Sequence, residues 1–256
     1  MTACFVNRAL LAAVLVFLVS PLLLVALFSF SESRLTAFPI NGLTFDWYGD
    51  VFASEPFRRA AVKSIVVTLS VGAISTVVGT MAAIALAPLR PRSANGLLLL
   101  LAAPVMLPPL VLGLALLSFY KSLGLPLGIP TVVLAHLVFT QPFVVLIMYA
   151  RMRAFDRTVL DSARDLGATP WRAFRTVTMP LIRANVIGAA LIAMALSLDD
   201  FVITFFTLAG GNTLPTLVWG MLRTSIDPTV NAVGTLIILT TIGAAIFALR
   251  LTRYRG

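Results

Sequence analysis

Charged side chains are scarce: Asp, Glu, Lys and Arg make up 11% of the 256 residues, against roughly 25% in soluble globular domains. With 59% hydrophobic residues beside so little charge, a water-soluble domain is excluded and a membrane protein is implied. Cysteine occurs once, as Cys4, so no disulfide framework exists and the redox compartment stays open. Histidine also occurs once, as His136. A lone imidazole makes neither a metal site nor a relay without partners, and it is read as a packed or hydrogen-bonded helix residue. The only lysines are Lys63 and Lys121, and no Gly-Lys pair exists. The phosphate-cradling loop G-x-x-x-x-G-K-[ST] is therefore missing, and so is G-x-S-x-G. The chain is expected to be no enzyme, with no cofactor or metal of its own.

What the chain does have is apolar runs. About 20 helical residues cross a hydrocarbon core, and six stretches reach that length, at 9–28, 64–87, 97–119, 131–150, 186–208 and 230–249. The first resembles a signal peptide in following Arg8, but its length and the missing A-x-A site argue against cleavage. Net charge is +9, and its placement matters more than its sum. With the amino terminus inside, 13 of the 19 basic residues fall on the cytoplasmic side: Arg8, Arg90, Arg92, the seven arginines between Arg151 and Arg183, and Arg250, Arg253 and Arg255. The outer side receives Arg34, Arg58, Arg59, Lys63, Lys121 and Arg223, interspersed with Glu32, Asp46, Asp50, Glu55 and Asp227. Both termini are thus expected in the cytoplasm. Arginines scattered over four segments that abut spans do not make a nucleic-acid surface. The expected fold is an all-α membrane protein of six transmembrane helices, residues 1–256 forming one domain.

Two connections are long, the outer 29–63 and the inner 151–185. The outer one carries turn signals at Pro39 and Asn41-Gly42 and interfacial aromatics at Trp47 and Tyr48, and reads as a partly interfacial cap. In the third span Pro104, Pro108 and Pro109 remove backbone donors and predict a kink or unwound turn, either structural or part of a site. The 209–228 segment, with Gly210-Gly211-Asn212, Pro215 and Trp219, suggests a turn and a short re-entrant or interfacial helix that gates a path, touches a partner or simply anchors the loop. Asp199 and Asp200 fall near the middle of the fifth span, where each ionised carboxylate costs roughly 2.5 to 3.5 kcal/mol, so they should face the bundle interior or water.

The inner loop, AFDRTVLDSARDLGATPWRAFRTVTMPLI from Ala154, divides into two short helices. Asp156 can cap the first, with Val159, Ala163 and Leu166 at helical spacing, and Gly167 supplies the left-handed residue that ends it. Thr169 is an N-cap candidate with Pro170 at the first helical position. Trp171 and Phe174 then share a face, while Arg172 and Arg175 project elsewhere. The product is either an exposed apolar knob edged with arginine or a basic amphipathic helix resting on the membrane.

The wider pattern resembles the EAA loop of ABC importer permeases: E-A-A, three residues, G, nine residues, I-x-L-P. Asp161, Ser162 and Ala163 stand at its first three positions, then Gly167, then Val177, Thr178, Met179 and Pro180, with the spacing kept throughout. Asp161, Ser162, Val177 and Met179 depart from the consensus by similar residues. The resemblance implies a type I ABC importer permease fold, with a coupling loop at 154–182 that inserts into a groove of a cytoplasmic ATPase subunit. Ala168 to Phe174 would dock there.

Further stretches resemble the C-type subunit of spermidine/putrescine permeases: Phe38 to Tyr48, Gln141 to Val145, Ser197 to Phe206, and Asp227-Pro228 to Asn231-Ala232. That likeness implies a bacterial inner-membrane, multi-pass subunit. Its partners would be a second, homologous permease, a pair of ABC ATPases that bind ATP and Mg, and a periplasmic solute-binding protein. It implies ATP-driven import of polyamines by alternating access, or of another solute such as an amino-acid derivative, an organic cation or a metal ion. Asp199 and Asp200 would then either line the path as counter-charge to an organic cation or bind other helices at a break in the span. One departure concerns the same chemistry, since Pro109 stands where the polyamine C-type permeases tend to have Asp. A self-sufficient channel or secondary transporter predicts inverted repeats, and no convincing internal symmetry is found.

Overall fold

The computed structural model describes residues 2–34, 36–224 and 228–253. Asp227 and Arg255, counted in the charge pattern above, lie outside the described residues. The described chain is helical apart from turns and one isolated antiparallel bridge between Ser31 and Leu43. Helix α1 spans Thr2–Phe28, α2 Asp46–Ala53, α3 Glu55–Leu86, α4 Pro91–Ala102, α5 Pro109–Ser122 and α6 Ile129–Arg153. After them come α7 Arg157–Asp165, α8 Pro170–Ala173, α9 Met179–Asp199, α10 Val202–Thr207, α11 Leu214–Thr224 and α12 Pro228–Arg253.

Among the described residues four runs are long and apolar enough to cross a membrane unbroken: Leu10–Phe28, Glu55–Leu86, Ile129–Arg153 and the continuous Pro170–Asp199. The third expected span exists only as a pair, Pro91–Met106 and Pro109–Ser122, bent by 97°. The prolines thus do more than kink it. Pro109 opens α5 at its first turn, where the missing N–H costs nothing, and Leu107 before them is extended, as a residue preceding proline must be. The fifth expected span is also discontinuous: α9 stops at Asp199, Asp200 is extended, and α10 starts over.

The second span begins nine residues earlier than hydropathy places it, at Glu55. Ser54 caps that end by accepting from the Phe57 amide, and Glu55 pairs with Arg59 one turn on. The polar residues 55–63 are therefore helix rather than loop.

The core is the trio α3, α6 and α9. Lipid tails give helices no hydrophobic reason to associate, so close packing of small residues decides. A Cβ on Gly79 would lie 2.5 Å from Val144 Cγ1, and one on Gly72 the same distance from Met194 Cγ. Ala83, Ala189 and Ala193 are fully buried beside them, and Ser75 and Thr140 share a hydrogen bond of 2.8 Å across α3 and α6. Helix α1, by contrast, leans on α12 with its apolar window unburied, as a lipid-facing helix should. At the α2 end, Trp47 Nε1 donates to the Ser31 carbonyl (2.7 Å), Tyr48 and Ser29 share a hydrogen bond (2.7 Å), and α2 packs against α12.

Candidate functional site

The break between α9 and α10 is held by a polar network inside the helix trio. Asp200 Oδ2 accepts from the Thr204 amide (2.8 Å) and the Thr204 hydroxyl (3.0 Å), and Oδ1 from the Ile203 amide (3.4 Å). Those first-turn amides have no partner within α10, so the carboxylate is what allows a new helix to start at membrane depth. His136 on α6, 1% exposed, reaches the same oxygen from the side, with Nε2 3.2 Å from Asp200 Oδ2 and 2.9 Å from Thr204 Oγ1. Its Nδ1 lies 2.8 Å from Ser197 Oγ. An imidazole protonated on Nε2, donating there and accepting from the Ser197 hydroxyl, satisfies every one of these contacts. His136 is thus the hydrogen-bonded helix residue expected from its isolation.

Asp199 is exposed and lies with Asp200 on a cavity of about 670 Å³. Pro109 at the start of α5, Phe139 of α6, Phe201 at the break and Thr241 of α12 line the same cavity. Leu198 and Ile237 also face a second, apolar cavity of about 420 Å³ toward the α2 end, walled by Phe57, Leu69 and Leu214. Helix α11 is the short helix expected after Gly211, and its Trp219 packs against Phe201 with ring centroids 5.0 Å apart. Three side chains from α3 and α6 hold the backbone between α10 and α11: Lys63 donates to the Gly210 carbonyl, Thr131 to the Thr207 carbonyl (2.9 Å), and Ser64 accepts from the Leu214 amide (2.8 Å).

At the opposite end the inner loop is built as a rigid projection. Asp156 caps α7 by accepting from the Thr158 amide (2.9 Å) and hydroxyl (2.8 Å). The far end closes in a Schellman turn: Gly167, at φ +85°, donates to the Arg164 carbonyl (2.8 Å), and Ala168 to the Ala163 carbonyl (3.0 Å). Thr169 accepts from the Arg172 amide (3.4 Å) and Pro170 opens α8. Pro180, in the first turn of α9, has no N–H to donate back to the preceding turn, and residues Phe174–Thr178 widen into a π turn there. Fully buried Ala173 and Ile182 fasten this segment to the core. Among the described residues no cluster of three or more His, Cys, Asp or Glu side chains forms.

Trp171 and Phe174 stack at 5.6 Å and 27°, so they do share a face. They do not stand free, however: both wall an apolar groove of about 680 Å³ whose other side is Val77, Met81 and Ile84 of α3. Trp171 remains 69% exposed while Phe174 is half-buried. Asp161 and Pro180 are exposed and Ala163 is half-buried. The most exposed apolar side chain of the loop is Leu166, 90% exposed, although it lies at helical spacing with the half-buried Ala163. The signal for it is its place immediately before the left-handed glycine, where the helix face ends.

Residues 75–255 match the protein family described as binding-protein-dependent transport system inner membrane component. The putrescine transport system permease protein PotI of Escherichia coli (strain K12) is 34% identical over 230 residues, 87% of this chain and 82% of its own. The spermidine/putrescine transport system permease protein PotC of Haemophilus influenzae is 28% identical over 254 residues, 99% of this chain and 98% of its own. Among solved structures, a bacterial ABC transporter involved in the import of the acidic polysaccharide alginate superposes with a TM-score of 0.72 at 17% identity, covering 100% of this chain and 97% of that one. An inward-facing MetNI methionine ABC transporter gives 0.61 at 20% identity, covering 79% and 99%. Likeness at such low identity speaks to the fold alone. With the helical architecture, the broken spans and the loop motif in place, the chain belongs to the binding-protein-dependent transport system inner membrane components, the permease subunits of ABC importers.

Proposed function

We propose that the chain is one half of the transmembrane path of an ATP-driven polyamine importer of the bacterial inner membrane. The single observation behind this is the continuous helical run Pro170–Asp199. It begins in the second half of the coupling motif and ends at Asp199, next to Asp200, about 45 Å away at 1.5 Å per residue. One rigid lever therefore connects a docking surface to a charged cavity. The bent α4–α5 pair counts as one span and α12 as the sixth, with both termini cytoplasmic by the distribution of arginine.

A second, homologous permease completes the path, and a periplasmic solute-binding protein delivers to it. Two cytoplasmic ATPase subunits, which bind ATP and Mg, grip the loop around Asp161, Gly167 and Trp171. Closure of the ATPases displaces the loop, the lever moves the α9–α10 break, and the path opens alternately to either side. Each ligand drives this cycle only by its different affinity for the two states. The polyamine assignment rests on the putrescine and spermidine/putrescine permeases among the relatives and on two carboxylates at one cavity.

The test is uptake of labelled putrescine and spermidine into proteoliposomes holding the full complex, with amino acids, sugars and metal ions as competitors. ATP-dependent uptake that only polyamines compete away is expected. An ATPase-active complex that takes up neither polyamine rejects the substrate. Trp171→Ala with Phe174→Ala should separate ATP hydrolysis from uptake or prevent ATPase assembly, and normal uptake in that variant rejects the coupling role.

A further inference from the structure

Asp199 and Asp200 are neighbours in sequence with opposite surroundings. A carboxylate offers about four lone-pair sites, and Asp200 spends them on two amides of α10, the Thr204 hydroxyl and His136. Its side chain is 11% exposed, and the imidazole against it 1%. Asp199 is exposed, and among the described residues it enters no hydrogen bond or ion pair. Both border the same cavity, but only one has an oxygen to give. Apart from Thr241, the cavity's other named features are apolar: Pro109, and the rings of Phe139 and Phe201, which pack against His136 (5.3 Å between centroids) and Trp219 (5.0 Å) respectively.

We infer that Asp199 alone is the solute-binding carboxylate of this cavity, that Asp200 and His136 are positioning residues that hold the break open beneath it, and that the site takes one ammonium group of an aliphatic cation. The carboxylate supplies the counter-charge. The two phenylalanine rings supply apolar contact for the methylene chain and a face for the cation. A second ammonium on the same solute finds no further free acid here, so this subunit contributes one charge contact. The assignment rests on the importer reading above and narrows it to one side chain.

Cys4 is the sole cysteine of this chain, so Cys4→Ser gives a cysteine-free subunit, and labelling of this subunit is read after its separation from the full complex. There, Asp199→Cys should react with a cationic methanethiosulfonate reagent and be protected by putrescine, while Asp200→Cys stays unreactive. Adding His136→Ala to Asp200→Cys should open that position to the reagent, and His136→Gln, which keeps a donor, should leave it closed. In transport, Asp199→Asn should raise half-saturation for putrescine by about tenfold, as loss of one charge contact to the solute does, whereas Asp200→Asn should lower the amount and melting temperature of assembled complex. Pro109→Asp puts a second acid at a helix N-terminus that favours one. It should raise the spermidine-to-putrescine uptake ratio by about threefold, the scale of one partly solvated ion pair.

Equal labelling of positions 199 and 200 overturns the division of roles. Labelling at 199 without protection, in a complex that still imports putrescine, overturns the solute contact. Absence of putrescine uptake in the unmodified complex instead removes the polyamine assignment, and the labelling contrast still decides which carboxylate is open.

Discussion

Two apolar spans are broken in this molecule, and they are broken by different means. Between α4 and α5 the chain carries Pro104, Pro108 and Pro109 and turns by 97° through exposed residues: Met106 is 82% exposed and Leu107 44%. Between α9 and α10 no proline occurs, and the break is enclosed by His136, Ser197 and Thr204, all at most 4% exposed. The first break is a property of the local chain. Proline removes the donors that an interrupted ladder would otherwise strand, so little outside help is needed. The second keeps its donors and must find them an acceptor inside the bundle, which Asp200 provides only while α6 holds it in place. A break of the first kind bends a helix; one of the second kind also places a carboxylate at membrane depth.

The largest expected effect follows from removing that acceptor. Asp200→Ala leaves two first-turn amides, the Thr204 hydroxyl and His136 Nε2 without their shared partner. Stranding buried, hydrogen-bonded groups costs about 3 kcal/mol. Denaturant unfolding of the solubilised complex, followed by helix signal, measures it. A loss under about 0.5 kcal/mol would mean that the α9–α10 break holds itself, as the proline break does.

The converse substitution on the other side should do little. Pro109→Ala restores a donor at a helix start that has no use for it, and Pro104 and Pro108 still interrupt the ladder. The expected cost is about 0.5 kcal/mol, from lost preorganisation of the unfolded chain. The bend itself, read as the distance between spin labels on α4 and α5, should stay put. A straightened pair would show that one proline makes the turn and that Pro104 and Pro108 do not suffice to break the ladder.

This contrast also explains what could be read from the sequence. The proline break and the loop's punctuation at Asp156, Gly167, Thr169 and Pro170 are local signals, and each appears with its expected backbone role. Hydropathy alone misplaced the start of α3, because Arg58, Arg59 and Lys63 lower the local average although Ser54 and the Glu55–Arg59 pair mark a helix. The α9–α10 break depends on His136, some 60 residues distant in sequence, at 2.8 Å from Ser197 and 3.2 Å from Asp200. No window of local sequence contains that contact. The two acids could therefore be singled out but not told apart, and helical spacing alone did not show that Leu166, at the end of α7, is exposed.

The smallest effect is expected where the same cap stands without tertiary support. Asp156 holds the start of α7 as Asp200 holds that of α10, but it lies in the solvent-facing loop and its donors come from Thr158 alone. Hydrogen bonds from the Thr158 hydroxyl, and then from its amide, pull the Asp156 carboxyl below its ordinary range. A carboxyl depressed in the folded state adds stability that is complete above its unfolded value and disappears as pH falls through the folded one. The first turn of α7 should therefore fray only when the solution becomes more acidic than an ordinary aspartate requires. Hydrogen exchange of the α7 amides across that window reads the change directly. Asp156→Asn keeps a competent cap but cannot titrate, so its exchange should be flat with pH once the intrinsic chemical rate is divided out. If the asparagine variant frays with the same pH profile, the titrating group lies elsewhere, and the exposed cap contributes geometry without charge.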